Sequence, residues 1–334
     1  MKAFARAVVA AACLAVGAPA IAEECQSGET VIKFSHVVSP SGHPKGDAAT
    51  LLAKRVNAEM DGTACMQVFP NSELYDDDKV MEALLLGDVH LAAPSLSKFE
   101  AYTLKFRLFD LPFLFQDLAA VERFTRSEAG RGLLTAMTDV GFLGLGYWTS
   151  GLKQFSANTP LLVPGDADGL TFRVQPSDVA VAMIEALGAR ARKLAFRDVY
   201  HALKNNVVDG QENSWSNIYT QKFHEVQDGV TETNHQLLAY LLVTSNGWLK
   251  GLDPDVRDQL LTIIKEVTET TNAAVAEKEA TNRQRIIDAG TQIRMLNQEQ
   301  RKAWVAAMKP VWDLFEVGIG ADLISAAQTA NIDG

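Results

Sequence analysis

Between Asp255 and Ala289 the chain contains neither glycine nor proline, and Asp253 and Pro254 just ahead supply an N-cap and a first helical residue. A helix of that length is on the order of 50 Å long at 1.5 Å per residue. One ordinary α/β layer is narrower than that. The helix is therefore expected to run along two bodies and keep them connected.

The rest of the chain supplies two such bodies. Short apolar runs alternate with helical patterns, the signature of α/β layers. Strands are predicted at Val31–His36, Met66–Phe69, His90–Ala93, Val140–Tyr147, Leu170–Val174, Ala191–Leu194 and Leu238–Thr244. Helices are predicted at Asp47–Met60, Asp78–Leu86, Val179–Ala186 and Arg197–Asn205. A length of 334 residues is a soft prior for two domains. No internal repeat or low-complexity linker interrupts the pattern.

Met1–Ala22 reads as a secretory leader: Lys2 and Arg6, the apolar stretch Ala7–Gly17, then the small-residue exit Ala20-Ile21-Ala22. Cleavage is expected before Glu23. The apolar run is shorter than the roughly 20 residues a membrane span needs, and Cys13 lacks a leucine-led lipobox. The mature chain is thus expected to be soluble and periplasmic. Removing Lys2 and Arg6 takes the formal charge from −10 to about −12. An acidic chain without basic tracts argues against nucleic acid and anionic lipid as partners. Cys25 and Cys65 remain; a disulfide between them, suited to an exported protein, would close a loop of about 40 residues worth roughly 4 kcal/mol. Free thiols are the alternative, and the spacing does not suit zinc.

Catalytic signatures are missing. The six histidines form no H-E-x-x-H and no close cluster with cysteine or acid. There is no G-x-S-x-G elbow and no phosphate loop. Ser95-Leu-Ser-Lys98 fits S-x-x-K on paper, but its partners S-D-N and K-T-G are absent. No enzyme, cofactor or metal is expected.

Two segments carry more. In Gly169-Leu-Thr-Phe-Arg-Val174, Arg173 lies inside a strand pattern between Phe172 and Val174. A guanidinium there must be paired or face a cavity, and its planar fork matches a carboxylate. A structural salt bridge is the bland alternative. In Asp209-Gly-Gln-Glu-Asn213-Ser-Trp215-Ser-Asn217, polar groups crowd beside Trp215, as in a site that orients a polar ligand against an apolar wall, or as in a capped helix start. Lys45 and Lys153 are loop cations that, taken singly, read as surface lysines.

Together, IKFSHVV (32–38), FPNSELYDD (69–77), MEALLLGDVHLAAPSLSKF (81–99), FDLPFLF (109–115), GLTFRV (169–174), AFRDVYHAL (195–203) and VVDGQEN with WSNIY (207–219) resemble the solute-binding subunits of tripartite ATP-independent periplasmic (TRAP) transporters. The similarity runs from about Val31 to Asn331. APSLSKF and WSNIY look like the branch that binds four-carbon dicarboxylates.

The resemblance implies two α/β lobes, a ligand in the cleft between them and a long helix behind. The expected division is 23–150 with about 239–279, and 151–238 with about 280–334. Arg173 matches the arginine that clamps a ligand carboxylate, Asn213 the asparagine beside it, and Phe196 an aromatic that packs on the ligand. Lys153 sits where the sialic-acid branch has a second arginine, and Ser95 where other branches place a different polar contact. Ser214 departs from the usual proline. A dicarboxylate needs cations or donors at both ends: Arg173 for one, and Lys153 or Lys45 with Ser95, His36 and Tyr240 for the other. Its apolar middle would rest on Phe196 or Trp215. The implied partners are a small carboxylate and the two membrane subunits, and the chain itself is expected to be a monomer. Sugar acids, keto acids and aromatic acids are the rival ligands, and a sensory adaptor the rival role.

Overall fold

The computed structural model describes residues 25–332, so the leader and its cleavage point lie outside the described residues. The strands are β1 (Thr30–Ser35), β2 (Ala64–Phe69), β3 (Leu91–Ala92), β4 (Phe142–Leu152), β5 (Gln154–Ala157), β6 (Thr171–Val174), β7 (Arg190–Lys193), β8 (Gly210–Asn213), β9 (Gly229–Glu232), β10 (Leu237–Ser245) and β11 (Gln292–Met295). The helices begin with α1 (Pro44–Glu59), α2 (Val80–Leu86), α3 (Leu118–Arg126), α4 (Glu128–Leu133), α5 (Asp178–Glu185), α6 (Val199–Lys204) and α7 (Trp215–Thr220). They continue with α8 (Asn246–Gly251), α9 (Pro254–Ala273), α10 (Val275–Asp288), α11 (Gln298–Met308), α12 (Pro310–Ile319) and α13 (Ala321–Thr329).

Two sheets form the centres of two lobes, one in the order β2-β1-β3-β10-β4 and one in the order β11-β9-β5-β8-β6-β7. β10 shows why the first is buried on both faces. Its residues alternate with period two: Leu238, Tyr240 and Leu242 join α1 and α9 in one core, while Leu237, Ala239, Leu241 and Val243 join a core rich in phenylalanine from residues 99–142. Phe155, Phe172, Met183 and Trp304 fill one face of the second sheet, and Val199, Trp215, Ile218 and Phe223 the other. Cys25 and Cys65 form a disulfide, with 5.5 Å between their Cα atoms, tying the chain ahead of β1 to β2.

The chain crosses between lobes four times, the last time between α11 and α12. β4 leaves the first sheet at Leu152 and becomes β5 of the second after one residue, Lys153. β10 returns beside it, pairing Leu237 with Leu152. The third crossing is the expected spine, which differs in one respect: it is two helices, α9 and α10, meeting at Ala274. α9 packs on α1 and α10 on α7. The interruption has no glycine or proline to mark it; it falls where the chain passes from one lobe to the other. α11 puts Trp304 and Met308 into the second core, whereas α12 and α13 put Val311, Ile319 and Ile324 into the first. Among the described residues no helix is long and apolar enough to cross a membrane.

Candidate functional site

Arg173 stands on β6 in register with Gln211 of β8 and Arg192 of β7, and is 1 % exposed. Its Nε and Nη2 both donate to the Leu194 carbonyl, at 3.1 and 2.9 Å. Its Nη1 is buried without a hydrogen-bond partner. Burial pushes the guanidinium down to about 10, against the pull of Glu212, Asp78 and Asp77. Such a group is costly to leave alone. The fork is thus held on one side and open on the other.

The open side faces a cavity of about 310 Å³, counting the space at its mouth. Phe196 lies beside the arginine, its ring centroid 5.9 Å from the guanidinium carbon. Asn213, at the end of β8, lines the same wall, and its Oδ1 accepts from Asn217 Nδ2 at 2.6 Å. β8 reaches this place because residue 210 is glycine: a Cβ there would stand 2.4 Å from the Ser156 carbonyl and 2.5 Å from the Phe172 ring.

Lys45 comes from the opposite wall. His43 caps α1 by accepting from the Lys45 N–H at 3.1 Å, and Pro44 opens the helix, which turns the lysine inward. Its Nζ donates to the Ala93 carbonyl at 3.0 Å and sits 3.9 Å from the Tyr240 ring centroid. The side chain is fully buried, and among the described residues no carboxylate lies within ion-pair distance. Burial pushes it down to about 8, with Asp77 countering and Lys98 adding to the fall. Ser95 and Tyr240 line this end of the cavity.

Six of the nine residues named from sequence therefore meet at one cavity: Arg173, Asn213, Phe196, Lys45, Ser95 and Tyr240. Lys153 does not. Its ammonium lies 3.0 Å from Glu212 and 2.6 Å from Gln236 Oε1, fully buried behind the wall. Glu212, raised by burial and held down by Lys153 and Arg173, occupies the lysine. Trp215 turns away from the cavity into the core with Val199 and Ile218, under Arg283. His36 is also absent from the lining; it packs edge-on against Phe34, and burial with nearby Lys45 pushes it down to about 3, so it is neutral.

Sequence reasoning missed Gln175, Asp77 and Lys98 on the lining, and reached Asn217 only as the end of the polar segment around Trp215. Gln175 had a signal, two residues beyond Arg173 in a strand pattern. Lys98 was seen only as part of a hydrolase motif; its Nζ lies 2.5 Å from Asp78.

A family model described as "Bacterial extracellular solute-binding protein, family 7" matches residues 34–317. The chain is 60 % identical over 324 residues to the "C4-dicarboxylate-binding periplasmic protein DctP" of Vibrio cholerae, covering 97 % of this chain and 98 % of that one. Two solved TRAP periplasmic solute-binding proteins superpose closely. One, from Shewanella oneidensis with bound succinate, has a TM-score of 0.89 and 47 % identity over 91 % of this chain and 99 % of the other. The second, from Pseudomonas aeruginosa with bound L-malate, has a TM-score of 0.83 and 42 % identity over 85 % and 99 %. A matched span this long, with the two-lobed fold and a cavity between the lobes, places the chain in the bacterial extracellular solute-binding protein family 7.

Proposed function

We propose that the protein captures a four-carbon dicarboxylate such as succinate, malate or fumarate and delivers it unchanged to the membrane subunits of a TRAP transporter for secondary active uptake. One observation carries this reading. Arg173 and Lys45 are buried cations on opposite walls of one cavity, and neither has a carboxylate partner within ion-pair distance among the described residues. A short dianion placed between them neutralises both. The ligands named for the Vibrio, Shewanella and Pseudomonas relatives agree with it.

In this arrangement one ligand carboxylate takes Arg173 Nη1, with Asn213 and Asn217 beside it. The other carboxylate takes Lys45, with Ser95 and the Tyr240 hydroxyl. Phe196 and Leu238 lie along the methylenes. The ligand meets one lobe first, and the closed state gains population because only there are both ends paired. Micromolar binding needs about 8 kcal/mol, within reach of two charge-assisted contacts. The lobes would be 25–150 with about 239–274, α12 and α13, and 151–238 with α10, β11 and α11; the expected boundary at 279 moves to Ala274, and α12 and α13 go to the first lobe because Val311, Ile319 and Ile324 pack in its core. The leader and the family's periplasmic members support export to the periplasm.

The test is a thermal-shift and calorimetric panel on the mature protein, with succinate, malate, fumarate, pyruvate, uronic acids and aromatic acids. A ligand that binds only the native state raises Tm. Four-carbon diacids should raise it most, and Arg173→Ala should lose about 2–5 kcal/mol of binding while remaining folded. Selective binding of another acid would replace the ligand class. Undiminished binding by Arg173→Ala would remove the site assignment.

A further inference from the structure

Behind the cavity one buried carboxylate joins three elements. Glu279 of α10 accepts from the backbone N–H of Trp215 at 3.0 Å and of Ser216 at 2.9 Å, and from the Ser216 hydroxyl. Those backbone groups are the first donors of α7, which the helix cannot satisfy internally. The same carboxylate lies against Gly151 of β4, where a Cβ would stand 2.3 Å from Oε2. Gly151 has φ +142°, so the crossing strand requires glycine there for its backbone as well as for space. Beside it, the Ser150 and Ser214 hydroxyls are 3.0 Å apart, and Asn282 of α10 donates to the Ser216 hydroxyl at 2.9 Å.

Capping alone does not account for this group. α7 already has an N-cap in Ser214, whose hydroxyl accepts from Asn217 N–H. What the extra carboxylate adds is a fixed attachment of α7 to the spine and to the crossing strand. α7 carries Asn217, which lines the cavity and donates to Asn213. Glu279 itself is not on the lining.

We propose that Glu279 is a positioning residue for the ligand site: it locks α7, and through it Asn217 and Asn213, to the spine helix and the crossing strand, so that this wall keeps its geometry as the lobes close. The proposal rests on the reading of the cavity as a ligand site and uses the dicarboxylate only as a probe. Burial raises the Glu279 carboxyl to about 7, against its bonds from Ser216 and Trp215. The ionised form accepts from all three donors, whereas the protonated form turns an O–H toward one of them. The titratable groups around it are Tyr240 of β10, raised by burial, and, along α10, Lys278 and Arg283, which pair with Asp47 and Glu232.

Glu279→Gln mimics the neutral form at nearly constant shape. Its Kd for succinate, divided by that of the wild type, should be about tenfold at pH 8, the weight of one lost buried hydrogen bond. It should fall toward one at pH 6, where the wild type is itself protonated. Taking the ratio cancels the titration of Lys45, which both proteins share. Ser216→Ala, a milder cut, should move Kd in the same direction and keeps the test open if the glutamine variant does not fold. Asp253→Ala removes the distant N-cap of α9 and should lower Tm with no change in Kd. An unchanged Kd in folded variants, a ratio independent of pH, or an equal loss in Asp253→Ala would each overturn the proposal. If the wild type ignores succinate but binds another acid of the panel, the ligand class fails, and the same ratio taken with that acid still decides the role of Glu279.

Discussion

Lys45 is buried to the last atom and bonded to one carbonyl, which leaves its charge without a local counterpart. His36 and His43 nearby are both pushed down by burial and by Lys45, so they add no second positive charge. Lys45 itself is pushed down to about 8. In the free protein it is charged below that pH and neutral above it. The sign for a dianion follows: the Lys45 contribution to affinity is full below about pH 8 and falls above it, by at most about tenfold per pH unit for one linked proton, while the Glu279 contribution changes on the other side, below about pH 7. Calorimetric titration of succinate from pH 7 to pH 9 reads this directly. Lys45→Met should bind more weakly at pH 7 and lose this component of the pH dependence. A wild-type affinity that is flat across that interval would take Lys45 out of the site.

Elements at the two ends of the first sheet have separate duties. The disulfide joins the strand starts, while His36, Val37 and Val38 follow the opposite end of β1, with the two valines on the cavity. Breaking the bridge releases a loop of 40 residues in the unfolded chain, a loss of roughly 4 kcal/mol. Scanning calorimetry with and without reductant should show a fall of several degrees in Tm. Succinate affinity below the transition should be unchanged. A lower affinity would mean that the bridge shapes the cavity as well as the unfolded state.

At the scale of the whole molecule, the lobes also meet around the cavity mouth. Arg197, after β7, lies 3.3 Å from Asp76, after β2, each next to a residue of the cavity lining. This pair joins one lobe to the other. The Arg197 side chain is 59 % exposed, however, and exposed pairs contribute about 0–1 kcal/mol. Asp76→Asn should therefore change the succinate Kd by less than about fivefold at physiological salt. A larger change in titration would assign the rim, rather than Arg173 and Lys45, the main part in closure.

The sequence alone determined the alternating α/β pattern, the span of the spine though not its break at Ala274, the strand that became β10 and the strand that holds Arg173, because each is written in local periodicity or in the presence or absence of glycine and proline. It also determined that Arg173 needed a partner or a cavity, since a charge within an apolar strand has no other outcome. Four strands were not legible. QFSA, GQEN, GVTE and QIRM are only four residues each. In GQEN the buried polar groups are satisfied by neighbours distant in sequence, as Gln211 is by Ser156. Tertiary structure decided which lysine reaches the cavity. Lys153 and Lys45 are equivalent as loop cations on paper, and only folding placed Glu212 and Gln236 around one while leaving the other facing open space across from Arg173. A charge's role depends on which opposite charge the fold brings within a few ångströms, and that distance is not a local property of the chain.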